Sequence, residues 1–271
     1  MNNNPLIWVF DVDGVITNPT KKRIAQQGLA EEVAGKINHG DIVTFNTGRS
    51  IDWVEERVLN VLLKNINDNS KLLDLFVVGE KGATWAFYKE NKLITEVDKT
   101  CRLPDSLRAE LKELINNEFS DCMFYDESKL TLISLEMLDG YNLDDYTTQQ
   151  KLLISKLREI LAKPEYSGLN ARIDATIIAV DVQSSITGKH MGARRIEQWL
   201  KQKNINPSKI IMIGDSQFDT EMAEELQDEY LVEFVFVGEP TKLDTSKLKN
   251  EPIITDARYD KGTLEALKRL G

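Results

Sequence analysis

Trp8-Val9-Phe10-Asp11-Val12-Asp13-Gly14-Val15-Ile16-Thr17 is the stretch on which the fold of this chain turns. The apolar run from Leu6 to Phe10 reads as a short buried strand. It ends on two aspartates two residues apart, followed by Gly14, which permits a sharp turn. Side chains two apart in an extended chain share a face. Two carboxylates held that close repel each other, and both stay ionised near neutral pH only beside a cation. A hard divalent ion with oxygen ligands fits, and Mg²⁺ suits carboxylates combined with phosphate and water. The bland alternative is a strand end carrying two solvated aspartates, and what lies downstream decides between the two.

Working outward, a turn at Asn18-Pro19-Thr20 precedes a helix expected from about Lys22 to Ile37, on the spacing of Ile24, Leu29, Val33 and Ile37. Ile42 to Asn46 reads as a second strand ending on Thr47-Gly48-Arg49-Ser50, and Ile51, Val54, Val58, Val61 and Leu62 recur at helical steps. A third strand, Leu73 to Val78, ends on Gly79-Glu80-Lys81-Gly82-Ala83. This alternation predicts an α/β fold with a parallel sheet and helices on its faces. Loops beyond the carboxyl ends of such strands build ligand sites, and Asp11, Asp13, Thr47 and Glu80 all fall there.

The middle of the chain differs. A hairpin (84–88 and 93–97), a helix from Pro104 to about Glu118, strands at 122–125 and 130–137, a helix at about 147–162 and strand residues from Arg172 to Val182 predict an inserted α+β domain. Its expected span is 86–183, between core halves 1–85 and 184–271. The first pattern then returns. A helix runs from Lys189 to Lys201, and the strand Ile210-Ile211-Met212-Ile213 ends on Gly214-Asp215-Ser216-Gln217-Phe218-Asp219. A helix from Thr220 to about Gln227, a strand from Leu231 to Val237 and a last helix from about Gly262 to Leu270 complete the chain.

The 271 residues are 41% hydrophobic and 29% charged, an ordinary globular composition. No apolar run approaches the roughly 20 residues of a membrane span. Met1-Asn2-Asn3-Asn4-Pro5 lacks the basic and apolar regions of a signal peptide, so a cytoplasmic protein is expected. A net charge of −10 disfavours nucleic acid and anionic membrane as partners. Cys101 and Cys122 have no metal-type spacing and read as reduced thiols. His39 sits in a polar turn, and His39 and His190 form no ligand pair, so neither supports a serine-protease-like or zinc mechanism.

Asp11/Asp13, Thr47-Gly48-Arg49, Lys189, and Gly214-Asp215 with Asp219 resemble, in order and type, the motifs of the haloacid dehalogenase superfamily. The resemblance covers about 5–83 and 184–271. It implies a Rossmann-like core and the following roles. Asp11 is the nucleophile that forms an aspartyl-phosphate. Asp13 is the general acid and then base, with its carbonyl on Mg²⁺. Thr47 and Gly48 hold the phosphoryl oxygens, and Lys189 offsets charge. Asp11, Asp13, Asp215 and Asp219 form the Mg²⁺ set. Gly14 and Arg49 are further expected at the substrate. The structural alternatives are a helix N-cap for Thr47, a solvated first-turn lysine for Lys189, and an N-cap or first-turn acid for Asp219.

The insertion between the second and third motifs looks like the C2-capped branch, which includes sucrose-phosphate, trehalose-phosphate and mannosylphosphoglycerate phosphatases and phosphomannomutase. Val15 stands where many members carry Thr, and His190 rather than Gly follows the lysine. The resemblance implies a Mg²⁺-dependent phosphatase acting on a small phosphorylated metabolite, expected to be a sugar phosphate, as a monomer or homodimer. Arg172, Lys129 and Tyr125 are candidate cap contacts. A phosphomutase would need several cap arginines, and only Arg102, Arg108, Arg158 and Arg172 are present. A non-catalytic binding protein predicts loss of Asp11, Asp13, Lys189 or Asp215, none of which is lost. A receiver domain does not account for the inserted lobe.

Overall fold

A computed structural model describes residues 4–270. The chain divides into two units, 1–96 with 188–271, and 97–187.

In the first unit, strands β1 (Leu6–Phe10), β2 (Ile42–Asn46), β3 (Leu75–Gly79), β4 (Thr84–Lys89) and β5 (Lys92–Val97) are joined by β10 (Lys209–Gly214), β11 (Val232–Phe236) and β12 (Ile253–Ile254) from the distal half. Their order is β12-β11-β10-β1-β2-β3-β4-β5, parallel from β12 through β3 and antiparallel at β3–β4. Alternation sorts each strand between two cores. Trp8, Phe10, Val43, Phe45, Ile211 and Ile213 pack with α1 (Leu29–His39), the helical run from α2 (Ile51–Val54) through α3 (Asn60–Leu62), and α8 (Asp260–Leu270). Ile7, Val9, Ile42, Ile210 and Met212 pack with α6 (Lys189–Gln202) and α7 (Thr220–Leu226). With both faces covered, the central strands read as continuous apolar runs, which is why the sequence exposes them.

Several expectations change in detail. The first helix begins at Leu29, not Lys22, because Gly28 before it holds φ +85° and Asn18 Oδ1 accepts from the N–H groups of Thr20 and Lys21, making a turn instead. The hairpin assigned to the insertion extends the large sheet, so the unit boundaries fall at 96/97 and 187/188 rather than 85/86 and 183/184. Its turn residues Glu90 and Asn91 both hold positive φ. β3 starts at Leu75 after a helical turn over Asn69–Asp74.

The second unit is a four-stranded antiparallel sheet, β6 (Met123–Tyr125), β7 (Ile133–Met137), β9 (Ala179–Ser184) and β8 (Ala171–Ala175) in that order. Its core joins Ile133, Leu135, Val180 and Val182 to Leu107 and Leu111 of α4 (Asp105–Leu114) and to Leu153 and Leu157 of α5 (Leu143–Leu161). The expected strand at 172–182 is two strands, reversed where Thr176 Oγ1 accepts from Ala179 N–H. The helix α5 starts a turn earlier than expected because the Asn142 side chain caps the N–H groups of Asp144 and Asp145.

Trp8 ties the large sheet of the first unit to α1. It is fully buried, stacks on Phe10 at 6.2 Å, lies under the Lys36 ammonium and donates its Nε1 to Asp41 Oδ2 at 2.9 Å. Trp8→Ala is expected to cost about 3–5 kcal/mol, checked by urea unfolding against the parent chain, with Trp8→Phe retaining most of that stability.

Candidate active site

The pairing of β1 with β10 continues one residue beyond the strand, since Asp11 N–H donates to the Ile213 carbonyl at 2.9 Å. That bond fixes the Asp11 backbone at the carboxyl edge of the sheet. The chain then turns at Gly14, with φ +77°, and Gly14 N–H closes on the Thr17 carbonyl. A Cβ on Gly14 would sit 2.1 Å from Asp215 Oδ2. Glycine is therefore required twice, for the backbone conformation and for the carboxylate lying against it. The structure places Gly14 as a seat for Asp215 rather than as a group presented to a ligand.

Lys189 is the first residue of α6. Its Nζ lies 2.6 Å from Asp11 Oδ1 and 2.7 Å from Asp219 Oδ1, and it donates to the Asn46 carbonyl at 2.7 Å. Its side chain is only 11% exposed and pairs with two carboxylates, which rules out the solvated first-turn alternative. Asp219 is fully buried and uses both oxygens. While Oδ1 meets Lys189, Oδ2 accepts from Asp215 N–H (3.1 Å), Ser216 N–H (3.0 Å) and Ser216 Oγ (2.8 Å). Oδ2 of Asp219 thus serves as a first-turn cap, while Oδ1 faces the Lys189 ammonium.

Carboxylate oxygens of Asp11, Asp215 and Asp219 all lie within 4.8 Å of one another. Three carboxylates and one ammonium leave two negative charges, the complement of one divalent cation. Proximity alone would count Asp219 as a direct ligand. Its oxygens are already occupied, so Asp11 and Asp215 are the members that could hold an ion directly, while Asp219 meets Lys189. The strain of the bare cluster shows in its titration. Burial first, then the Asp219 and Asp13 charges, against the opposing pull of Lys189, push Asp11 up to about 7. Burial, followed by Asp11 and Asp219, pushes Asp215 up to about 8. Burial works against the Lys189 ammonium, but Asp11 and Asp219 outweigh it and raise that group above the ordinary lysine range.

The carboxylate of Asp13 is not brought into this cluster. Both of its oxygens accept from Arg49, at 2.9 and 3.1 Å, in a bidentate pair, and the guanidinium also lies 4.8 Å from the Trp53 ring. Thr47 is fully buried, its N–H bonded to the Val78 carbonyl and its Oγ1 accepting from Arg49 N–H. The cap of the following helix is Ser50, which accepts from Trp53 N–H, so the N-cap reading of Thr47 does not hold. Gly48 lies beside the Lys81 side chain. His190 meets Glu221 at 3.2 Å, and His39 bonds its own helix at the Gly35 carbonyl.

Sequence reasoning missed Asn46 and Ser216. Ser216-x-x-Asp219 carries a capping-box signature that pointed to Ser216. Asn46 was marked only as a polar end to an apolar strand. Among the cap candidates, Arg172 pairs with Asp174, the Tyr125 hydroxyl accepts from Arg108, and buried Lys129 lies 3.8 Å from Asp126.

A family model of haloacid dehalogenase-like hydrolases matches residues 88–232, more than half of the chain. No curated protein matches the sequence. Among solved structures, the C-terminal domain of Candida albicans trehalose-6-phosphate phosphatase is 13% identical with a TM-score of 0.68, over 98% of this chain and 92% of that one. A haloacid dehalogenase-like hydrolase from Bacteroides thetaiotaomicron is 15% identical with a TM-score of 0.65, over 99% and 100%. Thermoplasma acidophilum 0175 is 14% identical with a TM-score of 0.61, over 98% of each. At these identities the likeness is one of fold.

Asp11 and Asp215 bind protons more tightly folded than unfolded, where each titrates near 3.8. Their contribution to stability is therefore full below about pH 4 and lost as pH rises through 7 to 8. With chelator present, the melting temperature should fall over that window more steeply than in the Asp11→Asn/Asp215→Asn double variant. A divalent cation should raise the parent's melting temperature more at pH 8 than at pH 5, as differential scanning calorimetry would record.

Proposed function

The chain belongs to the haloacid dehalogenase-like hydrolase family, and from that premise we propose a Mg²⁺-dependent phosphatase that hydrolyses a small phosphorylated metabolite through an aspartyl-phosphate on Asp11. The observation that carries this reading is the position of Asp11, at the carboxyl end of the central strand and within 2.6 Å of the Lys189 ammonium. Phosphoryl transfer depends chiefly on positioning and on neutralising charge, and this cluster supplies a nucleophile, a buried cation and two free negative charges for a metal. Asp11 and Asp215 would hold Mg²⁺, which when bound supplies Lewis-acid charge to the phosphoryl oxygens.

In the first step an Asp11 oxygen attacks phosphorus, the bond to the ester oxygen breaks, and Asp13 gives that oxygen its proton. In the second, water attacks the phosphorus of the aspartyl-phosphate, its proton passes to Asp13, and phosphate leaves with Asp11 regenerated. Asp13 must release at least one oxygen from Arg49 to do this, so Arg49 sets where the acid stands between steps. Thr47 and Gly48 would receive the phosphoryl oxygens beside the nucleophile.

The inserted unit is assigned the role of a specificity domain. On the sheet face away from its own core it carries Arg172, Asp174 and Asp181 with the buried amide and hydroxyl of Gln183 and Ser134. Those groups suit hydroxyls, which supports a sugar phosphate. Three of its four arginines are engaged within the unit, which favours hydrolysis over a mutase needing a second phosphate site: Arg102 is bonded to Asp105 and the Leu130 carbonyl, Arg108 to the carbonyls of Lys129 and Leu132, and Arg172 to Asp174 and the Ser185 carbonyl. Cys101 and Cys122 are buried thiols outside any disulfide, which supports a reducing, cytoplasmic setting.

Phosphate release from an aryl phosphate should require Mg²⁺ and stop with EDTA. Asp11→Asn should lower kcat by at least about 10³-fold, and Asp13→Asn by about 10²–10⁴-fold. Mass spectrometry of acid-quenched protein should find phosphate on Asp11. Mg²⁺-independent release, or full activity in Asp11→Asn, would overturn the reading.

A further inference from the structure

Asn46 and Lys189 grip each other at two points. The Asn46 side-chain Nδ2 donates to the Lys189 carbonyl at 2.8 Å, and Lys189 Nζ donates to the Asn46 carbonyl at 2.7 Å. Asn46 is fully buried at the end of β2, on the side covered by α6. Its Oδ1 is buried with no hydrogen-bond partner among the described residues, an arrangement that native interiors mostly avoid.

The side chain can lie there only because residue 192 is glycine. A Cβ at Gly192 would fall 2.0 Å from Asn46 Oδ1, 2.4 Å from Cγ and 2.5 Å from Nδ2. Glycine inside a helix is itself unfavourable, and Gly192 is the fourth residue of α6. Two locally unfavourable choices therefore meet at one contact, a pattern expected where a site is being held in place. Lys81 makes a second tie nearby, its N–H donating to the Thr47 carbonyl and its carbonyl accepting from Gly188 N–H, both at 2.9 Å.

Resting on the phosphatase reading, we propose that Asn46, seated in the notch left by Gly192, is a positioning residue that fixes Lys189 at both its backbone and its ammonium. A lysine carries a flexible four-carbon stem that can place its charge in many positions. Anchoring the carbonyl at one end and the ammonium at the other confines that charge between Asp11 and Asp219. Because Asn46 is peptide-bonded to Thr47, the same residue sets the lysine relative to the group expected to hold the phosphoryl oxygens.

The test compares Asn46→Leu, which keeps the approximate shape and removes the donor, with Gly192→Ala and Asn46→Ala/Gly192→Ala. In ¹H–¹⁵N spectra of lysine ammonium groups, the parent should show a protected cross peak that disappears in Lys189→Met. Asn46→Leu should shift that peak or broaden it away. With an aryl phosphate and Mg²⁺, kcat should fall about 10- to 100-fold while KM changes less than about 3-fold. Gly192→Ala should lower both kcat and melting temperature, and the added Asn46→Ala should restore the melting temperature but not kcat. A parent spectrum with no protected ammonium, an unchanged peak in Asn46→Leu, or kcat within about twofold in every folded variant overturns the proposal. If the peak responds as expected but the parent releases no phosphate, the positioning role stands and the phosphatase reading falls.

Discussion

The Lys189 ammonium, enclosed by Asp11, Asp219 and the Asn46 carbonyl, is the interaction on which the site depends. Each partner arrives on a different element: Asp11 after β1, Asp219 at the end of the helical turn before α7, Asn46 at the end of β2, and the lysine on α6. Removing one member of a buried charge pair costs about 3–5 kcal/mol, because the other is left buried and uncompensated. Here the cost would fall on fully buried Asp219, which has no solvent to turn to. The lysine thus joins both halves of the interrupted first unit as well as balancing charge.

Much of this was legible in the sequence because the sheet is parallel and covered on both faces. Strands in such a sheet are apolar throughout, so the first polar residue after each run marks the edge where a site can form. Asp11 after Phe10 and Asp215 after Gly214 stand out in this way, and Thr47 stands one residue past the polar end of its strand. The family model matches 88–232, a span that holds Lys189, Asp215 and Asp219 but not Asp11, Asp13 or Thr47. What stayed hidden depended on contacts across long separations in sequence. Asn46 and Lys189 lie 143 residues apart, and nothing local to either announces the pair. The Arg49 clamp on Asp13 was equally silent, since an arginine after Thr-Gly reads as readily as a phosphate contact.

The element errors have a common cause. Spacing reports which side of an element is apolar, but not which backbone conformation begins it. Ile24 fits the helical spacing of Leu29 and Val33, yet Gly28 in the left-handed region and the Asn18 turn place it before the helix. The hairpin at β4–β5 alternates as any half-buried strand pair does, and only pairing with β3 assigns it to the large sheet.

Charge closes the argument. The chain as a whole carries −10, and the cations nearest Asp11 and Asp13, Lys189 and Arg49, are each bonded to carboxylates. A phosphate monoester brought to the bare cluster would add negative charge where burial already pushes two carboxyls towards their protonated forms. Neither cation can turn wholly to the phosphate without exposing the carboxylate it holds. A divalent ion held by Asp11 and Asp215, as proposed, would relieve that conflict by neutralising the surplus and leaving Lys189 in its place. On that proposal, metal would bind before substrate.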